Sequence, residues 1–295
     1  MSPVAFAPAK INLFLHVGAP GADGFHPLCS LMAFADVGDR VVLHEADALS
    51  VRVHGPFAGM LAGEGDNLVL RAARALIARA RGPQPLIGLS LEKLLPVAAG
   101  LGGGSSDAGA ALRVLRTALG VQVDDVELEA IAASLGADGA ACLWGRPVLA
   151  QGRGELLTPA PVLPTIEAVL VNPRVEVATP AVYKAFDAIG RFGDVEPPPL
   201  PPAFESVEEL AAWLGMMRND LEAPAVGLAP EIGDVLATLA DERETLIARM
   251  SGSGATCFAI CSSDIEADAL AERVVAMRPG WWTVRCRLGG PWPES

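Results

Sequence analysis

Two charged residues stand where charge is unusual. Lys10 lies inside the apolar run Phe6–Leu15, flanked by Pro8, Ala9 and Ile11. Asp138 follows Leu135-Gly136-Ala137 and precedes Gly139-Ala140-Ala141-Cys142, alone among small and apolar residues. A lysine in such a run either snorkels its ammonium to the surface or aims a cation into a cleft. The aspartate either closes a turn or caps a helix, or it is a carboxylate able to accept a hydroxyl proton. Brought together, the pair has the chemistry to deprotonate an alcohol while the lysine holds its charge.

The strongest local signal is Pro96-Val97-Ala98-Ala99-Gly100-Leu101-Gly102-Gly103-Gly104-Ser105-Ser106-Asp107. Glycine lets the backbone come close to a ligand and adopt positive φ, so successive N–H groups can converge on one anion. A helix expected from about Ser105 to Leu119 adds free N–H groups and the positive end of its dipole. A Walker A loop would end in Gly-Lys-[Ser/Thr], but Ser105 follows Gly104 and no lysine is present. The dinucleotide fingerprint would need a third glycine where Ser105 stands, and Asp124 follows a helix rather than a strand. The segment reads as a polyphosphate loop of neither familiar kind, or more plainly as a tight strand-to-helix turn whose small residues serve packing. A second run, Ser251-Gly252-Ser253-Gly254-Ala255-Thr256, is either a plain linker or the other wall of the same site.

The elements that must position these residues follow from periodicity and punctuation. Val4 to Val17 reads as a strand pair or one long bent strand, and Gly18 to Pro27 as a loop. Val41–Leu43 and Val51–Val53 read as short strands of a meander, and Leu86 to Leu91 as another strand. Asp66 or Asn67 caps a helix running to about Arg79, and a further helix covers about Asp124 to Ser134. Val148–Gln151, Ile166–Val171 and Cys257–Cys261 read as strands. Pro180–Ala188, Val207–Leu214, Glu231–Ala240 and Ile265–Met277 read as helices. The Pro-rich stretch Thr158 to Pro164 is the best boundary, dividing the chain into residues 1–158 and 159–295. Mixed strands and helices without strict alternation favour an α+β fold over a doubly wound sheet.

Composition narrows the function. The 295 residues are 51% hydrophobic, ample for packed cores and incompatible with a disordered tail protein. A net charge of −13 repels phosphate backbones and anionic lipid, so nucleic acid and membrane surfaces are not expected partners. An anionic ligand must then be held by local devices. Five scattered cysteines without a CxxC pair, no signal-like start and no long apolar run point to a reduced, cytoplasmic protein.

Taken in order, Pro8-Ala9-Lys10-Ile11-Asn12-Leu13, the Pro96–Asp107 run and Ser251–Cys257 resemble the three motifs of the GHMP kinase superfamily over nearly the whole chain. Ala22-Asp23-Gly24-Phe25-His26, Asp66-Asn67-Leu68, Leu135-Gly136-Ala137-Asp138 and Gly152-Arg153-Gly154-Glu155 are similar to the branch whose acceptor carries a cytidyl group. The resemblance implies an N-terminal domain of the ribosomal-protein-S5-domain-2-like type, a ferredoxin-like C-terminal domain and a site between them. It implies ATP and Mg²⁺, with no residue assigned as metal ligand, and a small-molecule cytidyl substrate. A monomer or weak homodimer is expected. Asp138 matches the family's catalytic aspartate and Lys10 its partner. The Pro96–Ser106 loop matches the ATP site, with Asn67 on its adenine side. Asn12, Phe25, His26, Thr179, Tyr183, Ser253 and Gly254 match substrate positions, Phe25 and Tyr183 as the two walls of a base pocket. Several of these have plainer readings. Asn12 can satisfy local backbone, Asn67 can cap a helix, and Tyr183, the one tyrosine, can pack on a helix surface. The alternatives for function are another small-alcohol GHMP kinase, of mevalonate or homoserine type, and a nucleotide-binding relative without catalysis.

The chain departs from the family pattern in four places. Gly139-Ala140-Ala141-Cys142 replaces the usual Val-Pro and bulkier residues, which puts the shape behind Asp138 in question. Phe25 stands where tyrosine is frequent. Arg153 stands where many relatives carry a small apolar residue, and would meet either a substrate phosphate or solvent. The Pro-rich loop at Pro197–Pro202 has no family counterpart.

Overall fold

A computed structural model of the protein describes residues 2–61, 67–80 and 85–294. The first half runs β1 (Val4–Asn12), β2 (His16–Val17), β3 (Leu28–Glu45), β4 (Ser50–His54), α1 (Leu68–Ile77) and β5 (Ile87–Glu92). Then come α2 (Gly103–Leu119), α3 (Asp125–Leu135), α4 (Gly139–Trp144) and the hairpin β6 (Val148–Gly152) and β7 (Leu156–Pro159). The second half is β8 (Ile166–Asn172), α5 (Thr179–Ile189), α6 (Val207–Gly215), α7 (Glu222–Leu228) and α8 (Glu231–Ala240). It closes with β9 (Ile247–Met250), β10 (Cys257–Cys261), α9 (Asp264–Met277) and β11 (Trp282–Gly289). Helices and a mixed sheet segregate as an α+β fold, as expected.

The described strands form one sheet with the path β4-β5-β3-β11-β8-β10-β9, and β1, β2 and β6 also pair with β3. Where the sequence suggests only Val41–Leu43, β3 extends over 18 residues. Its front half is buried on both faces, with Leu31 and Ala33 in one core and Met32 and Phe34 in another, so alternation disappears. The joining strand β11 was not legible in the sequence. It pairs with β8 from Trp282 to Leu288 and with β3 at Leu288 and Gly289, tying the two halves into one sheet.

Packing follows strand alternation. On β8, Ile166, Ala168 and Leu170 face the core under α6, with Phe204, Leu210 and Leu214. Val169 and Val171 face the opposite core, with Val182, Ile232 and Leu270 of α5, α8 and α9. In the first half, α1, α2 and α3 cover β3 and β5 through Leu76, Leu112, Leu115 and Ile131. Asp66 lies outside the described residues. Asn67 caps α1, its Oδ1 accepting the Val69 N–H at 2.8 Å.

The short helix α4 sits where α2 carries its smallest residues. A β-carbon on Gly109 would fall 2.9 Å from the Cys142 carbonyl oxygen and 2.9 Å from Leu143 Cα. Gly109→Val should therefore force the helices apart and lower stability by about 1–3 kcal/mol. Urea unfolding reads this directly; an unchanged midpoint would mean that α2 and α4 do not depend on this contact.

Candidate active site

The two glycine-rich loops meet. Ala98, Gly100 and Gly102 all have positive φ (51°, 75° and 61°), so the chain alternates direction on its way into α2. The Ser106 N–H makes the first bond of that helix, to the Gly102 carbonyl, which leaves the N–H groups of Gly103, Gly104 and Ser105 unpartnered by the helix. A β-carbon on Gly100 would strike the Ser251 carbonyl and lie 3.0 Å from Gly254 N. Ser251 Oγ donates to the Gly100 carbonyl at 2.9 Å and Thr256 N–H to that of Ala99 at 3.1 Å. The second loop thus braces the first. Asn219, with no sequence signal, holds this brace by donating from Nδ2 to the Met250 and Gly252 carbonyls, both at 2.8 Å.

Lys10 does not snorkel. It is 4% exposed, and the register of β1 against β3 shifts between Pro8 and Lys10. The Lys10 N–H then bonds the Leu101 carbonyl at 2.8 Å, and its stem passes under Gly102, where a β-carbon would lie 3.0 Å from Lys10 Cε. Its Nζ reaches Asn12 Oδ1 at 2.6 Å and Asp138 Oδ2 at 3.1 Å. Asn12 in turn donates to Ser30 Oγ at 2.7 Å, so both ends of its amide are engaged. Asp138 occupies the N-cap position of α4 but caps nothing with its side chain. Its carboxylate, 31% exposed, is spent on Lys10 and faces a cleft of about 1270 Å³. At the first residue of the departure after it the packing leaves no room: a β-carbon on Gly139 would collide with the Ala132 carbonyl of α3.

Next to the phosphate loop lies a charged triad that sequence reasoning missed. Lys93 Nζ donates to Asp39 Oδ2 at 2.5 Å and to Asp107 Oδ2 at 2.7 Å, with all three side chains buried. Asp39 Oδ1 also accepts the N–H groups of Leu94 and Leu95 at 2.6 and 2.8 Å, whereas Asp107 Oδ1 has no partner. The three residues stand at positions 39, 93 and 107 with no shared motif, so a single sequence carries no signal for the triad.

At the other end of the cleft, Phe25 is 58% exposed and the Arg153 guanidinium lies 4.2 Å from its ring centroid. The imidazole of His26 is committed to protein partners, with Nδ1 2.8 Å from the Gly18 carbonyl and Nε2 3.2 Å from Asp187 Oδ1. Its ring lies 5.2 Å from that of Tyr183. Burial first, then the Asp138 carboxylate, pushes the Tyr183 hydroxyl up to about 12, so it stays neutral. Thr179 Oγ1 lies 2.8 Å from Ser253 Oγ, joining the start of α5 to the second glycine loop.

Lys10, Asn12, Phe25, His26, Asn67, Pro96–Ser105, Asp138, Thr179, Tyr183 and Ser253 all line this cleft. Two expected residues do not. Ser106 is buried and its hydroxyl donates to the Pro8 carbonyl at 2.7 Å, because that position turns to the packed side of α2. Gly254 lies behind the wall, its N–H bonded to the Ser251 carbonyl at 3.0 Å. Among the described residues no group of three or more His, Cys, Asp or Glu side chains could hold a metal ion.

Residues 67–146 match the GHMP kinases N terminal domain and residues 202–279 the GHMP kinases C terminal domain. The chain belongs to the GHMP kinase family, and it is a kinase. It is 63% identical to the 4-diphosphocytidyl-2-C-methyl-D-erythritol kinase of Caulobacter sp. (strain K31), over 97% of this chain and 98% of that one. It is 61% identical to the enzyme of the same name from Caulobacter vibrioides (strain NA1000 / CB15N), over 96% and 98%. A crystal structure of 4-(cytidine 5'-diphospho)-2C-methyl-D-erythritol kinase superimposes with a TM-score of 0.79 at 35% identity, covering 98% of this chain and all of that one. Homoserine kinase from Cytophaga hutchinsonii shares the fold, with a TM-score of 0.69 at 21% identity over 98% and 95% of the two chains.

The triad makes a prediction about stability. Burial, opposed by the Lys93 charge and aided by Asp39, raises Asp107 well above its ordinary 3.8. Above that raised value Asp107 is the anion paired with Lys93; between 3.8 and that value the folded protein keeps a proton there that the unfolded chain has released. That contribution is complete below pH 3.8 and is lost as pH rises through the raised folded value. Asp107→Asn should remove this downward slope in a series of urea unfolding curves across pH; an unaltered slope would show that Asp107 carries no such proton.

Proposed function

We propose that the protein transfers the γ-phosphate of ATP to the 2-hydroxyl of 4-diphosphocytidyl-2-C-methyl-D-erythritol, giving the 2-phosphate and ADP in the non-mevalonate route to isoprenoids. The observation that carries the chemistry is the Lys10–Asp138 pair, 3.1 Å apart on the wall of the cleft that the phosphate loop also lines. Asp138 takes the proton of the acceptor hydroxyl as its oxygen forms a bond to the γ-phosphorus and the bond to the β-phosphate oxygen breaks. Lys10 steadies the charge that develops on that oxygen. The N–H groups of Gly103, Gly104 and Ser105 hold the phosphates, supplying the positioning and electrostatics that phosphoryl transfer needs. Asn67 marks the adenine side.

Acceptor recognition rests on the far end. Phe25 and Tyr183 offer aromatic surface to the cytosine, and Thr179 and Ser253 offer hydroxyls. Because both His26 nitrogens are engaged, its backbone is the part left to read the base edge. The cleft then lies between residues 1–158, which carry the phosphate loop, and residues 159–295, which carry Thr179, Tyr183 and Ser253.

Bound with the nucleotide, Mg²⁺ would supply neutralisation of the phosphate charge. A hard cation bound chiefly to phosphate and water would find oxygen donors on the cleft wall at Ser105 and at the Asp138 carboxylate.

Asp138→Asn should lower kcat by about 10²–10⁴-fold and leave ATP affinity close to that of the wild type. Turnover assays together with calorimetry using a non-hydrolysable ATP analogue separate the two effects. Near-normal turnover would remove Asp138 from the mechanism. Phosphorylation of mevalonate or homoserine in place of the cytidyl compound would overturn the acceptor.

A further inference from the structure

Arg153 sits at the tip of the β6–β7 hairpin, between two glycines of positive φ, Gly152 (70°) and Gly154 (113°). That backbone makes the turn tight and projects the side chain outward. The tip is fixed from below. A β-carbon on Gly154 would lie 3.2 Å from the carbonyl oxygen of Ala137, the residue before Asp138, and Glu155 Oε2 accepts the Arg153 N–H at 2.5 Å. From this base the guanidinium covers one face of Phe25 at 4.2 Å and pairs with the Asp23 carboxylate. Asp23 also accepts the Phe25 N–H through Oδ1 at 3.0 Å. The loop is thus closed at both the backbone and the side chain of Phe25.

An exposed aromatic on a loop loses binding affinity to rotamer freedom, because the ring must be fixed before a base can stack on it. We propose that Arg153, with Asp23, is a positioning residue for acceptor recognition, holding Phe25 as a fixed stacking platform with its second face open to the cytosine. The proposal rests on the cytidyl-acceptor reading given above. It replaces the phenolic hydroxyl that tyrosine would bring at position 25 with a cation behind the ring, and it gives Arg153 a role other than meeting a substrate phosphate.

The experiment is a double-mutant cycle on the full-length enzyme, with KM for 4-diphosphocytidyl-2-C-methyl-D-erythritol and KM for ATP as separate readouts. Arg153→Ala and Asp23→Asn should each raise the acceptor KM about threefold to tenfold. ATP KM should not change; a loss of folded enzyme would instead lower Vmax and leave both KM values unaltered. In a Phe25→Ala background, Arg153→Ala should add nothing, because its effect passes through that ring. Arg153→Lys, which keeps a cation but not the planar stack, should fall between Ala and the wild type. The proposal is overturned if Arg153→Ala raises the acceptor KM by the same factor with and without Phe25, or if Asp23→Asn leaves it unchanged. The first result would assign Arg153 to direct contact with the acceptor. If Phe25→Ala itself binds the acceptor normally, the stacking reading fails and the proposal with it. If Phe25→Ala binds weakly and Arg153→Ala binds normally, only the proposal fails.

Discussion

The structure is organised around a buried ammonium. Removing a lysine from water costs several kcal/mol unless oxygen atoms replace the lost hydration. At Lys10 those atoms are Asn12 Oδ1 and Asp138 Oδ2. To bring them there, β1 must break register after Pro8, Leu101 must turn its carbonyl to the Lys10 N–H, and position 102 must lack a side chain. Asp138 must also stand at the head of α4, which requires Gly139 against α3 and Gly109 against α4. Small residues far apart in the chain are thus consequences of one charge placed in one spot.

The same logic explains how a chain with net charge −13 can bind polyphosphate. It does not rely on a basic surface. The cleft offers fixed dipoles, the N–H groups at the head of α2, and two buried lysines whose charges are already partnered. Lys93 is held in its charged form against burial by Asp107 and Asp39. Dipoles set by backbone geometry need no reorganisation when the anion arrives, whereas a mobile surface lysine must be immobilised first. The excess acidity can therefore remain on the surface without opposing the site.

How much of this was legible in the sequence depends on the range of the interaction. The glycine-rich loop, the helix after it and the isolated Lys10 and Asp138 were readable as features, because local composition carries them. The full length of β3 was hidden because burial on both faces erases period-two alternation. Strand β11 was hidden because its half-buried residues give no clean pattern, and its partners β8 and β3 lie more than a hundred residues away. The Lys93 triad joins positions 39, 93 and 107, each unremarkable alone. Ser106 was misplaced for the opposite reason: its neighbour Ser105 faces the cleft, and one residue along a helix is a rotation of about 100°.

The two halves cannot be treated as independent modules in explaining the site. β11 bridges β8 to β3, Asn219 secures the loop that braces Gly100, and Arg249 donates to the Leu13 carbonyl at 2.8 Å. At the far end of the chain, Glu294 reaches Arg113 of α2 at 2.7 Å and Trp292 donates to the Phe34 carbonyl at 2.9 Å. β11 and Trp292 thus meet β3, the partner strand of β1, while Arg249 reaches the residue after β1 and Glu294 reaches α2. Hence the distance between the phosphate end and the aromatic end of the cleft is set by a continuous sheet, not by a flexible hinge. Loop-borne side chains such as Phe25 are then the parts left to be fixed by local contacts, and that is where this chain departs most visibly from a tyrosine-bearing pattern.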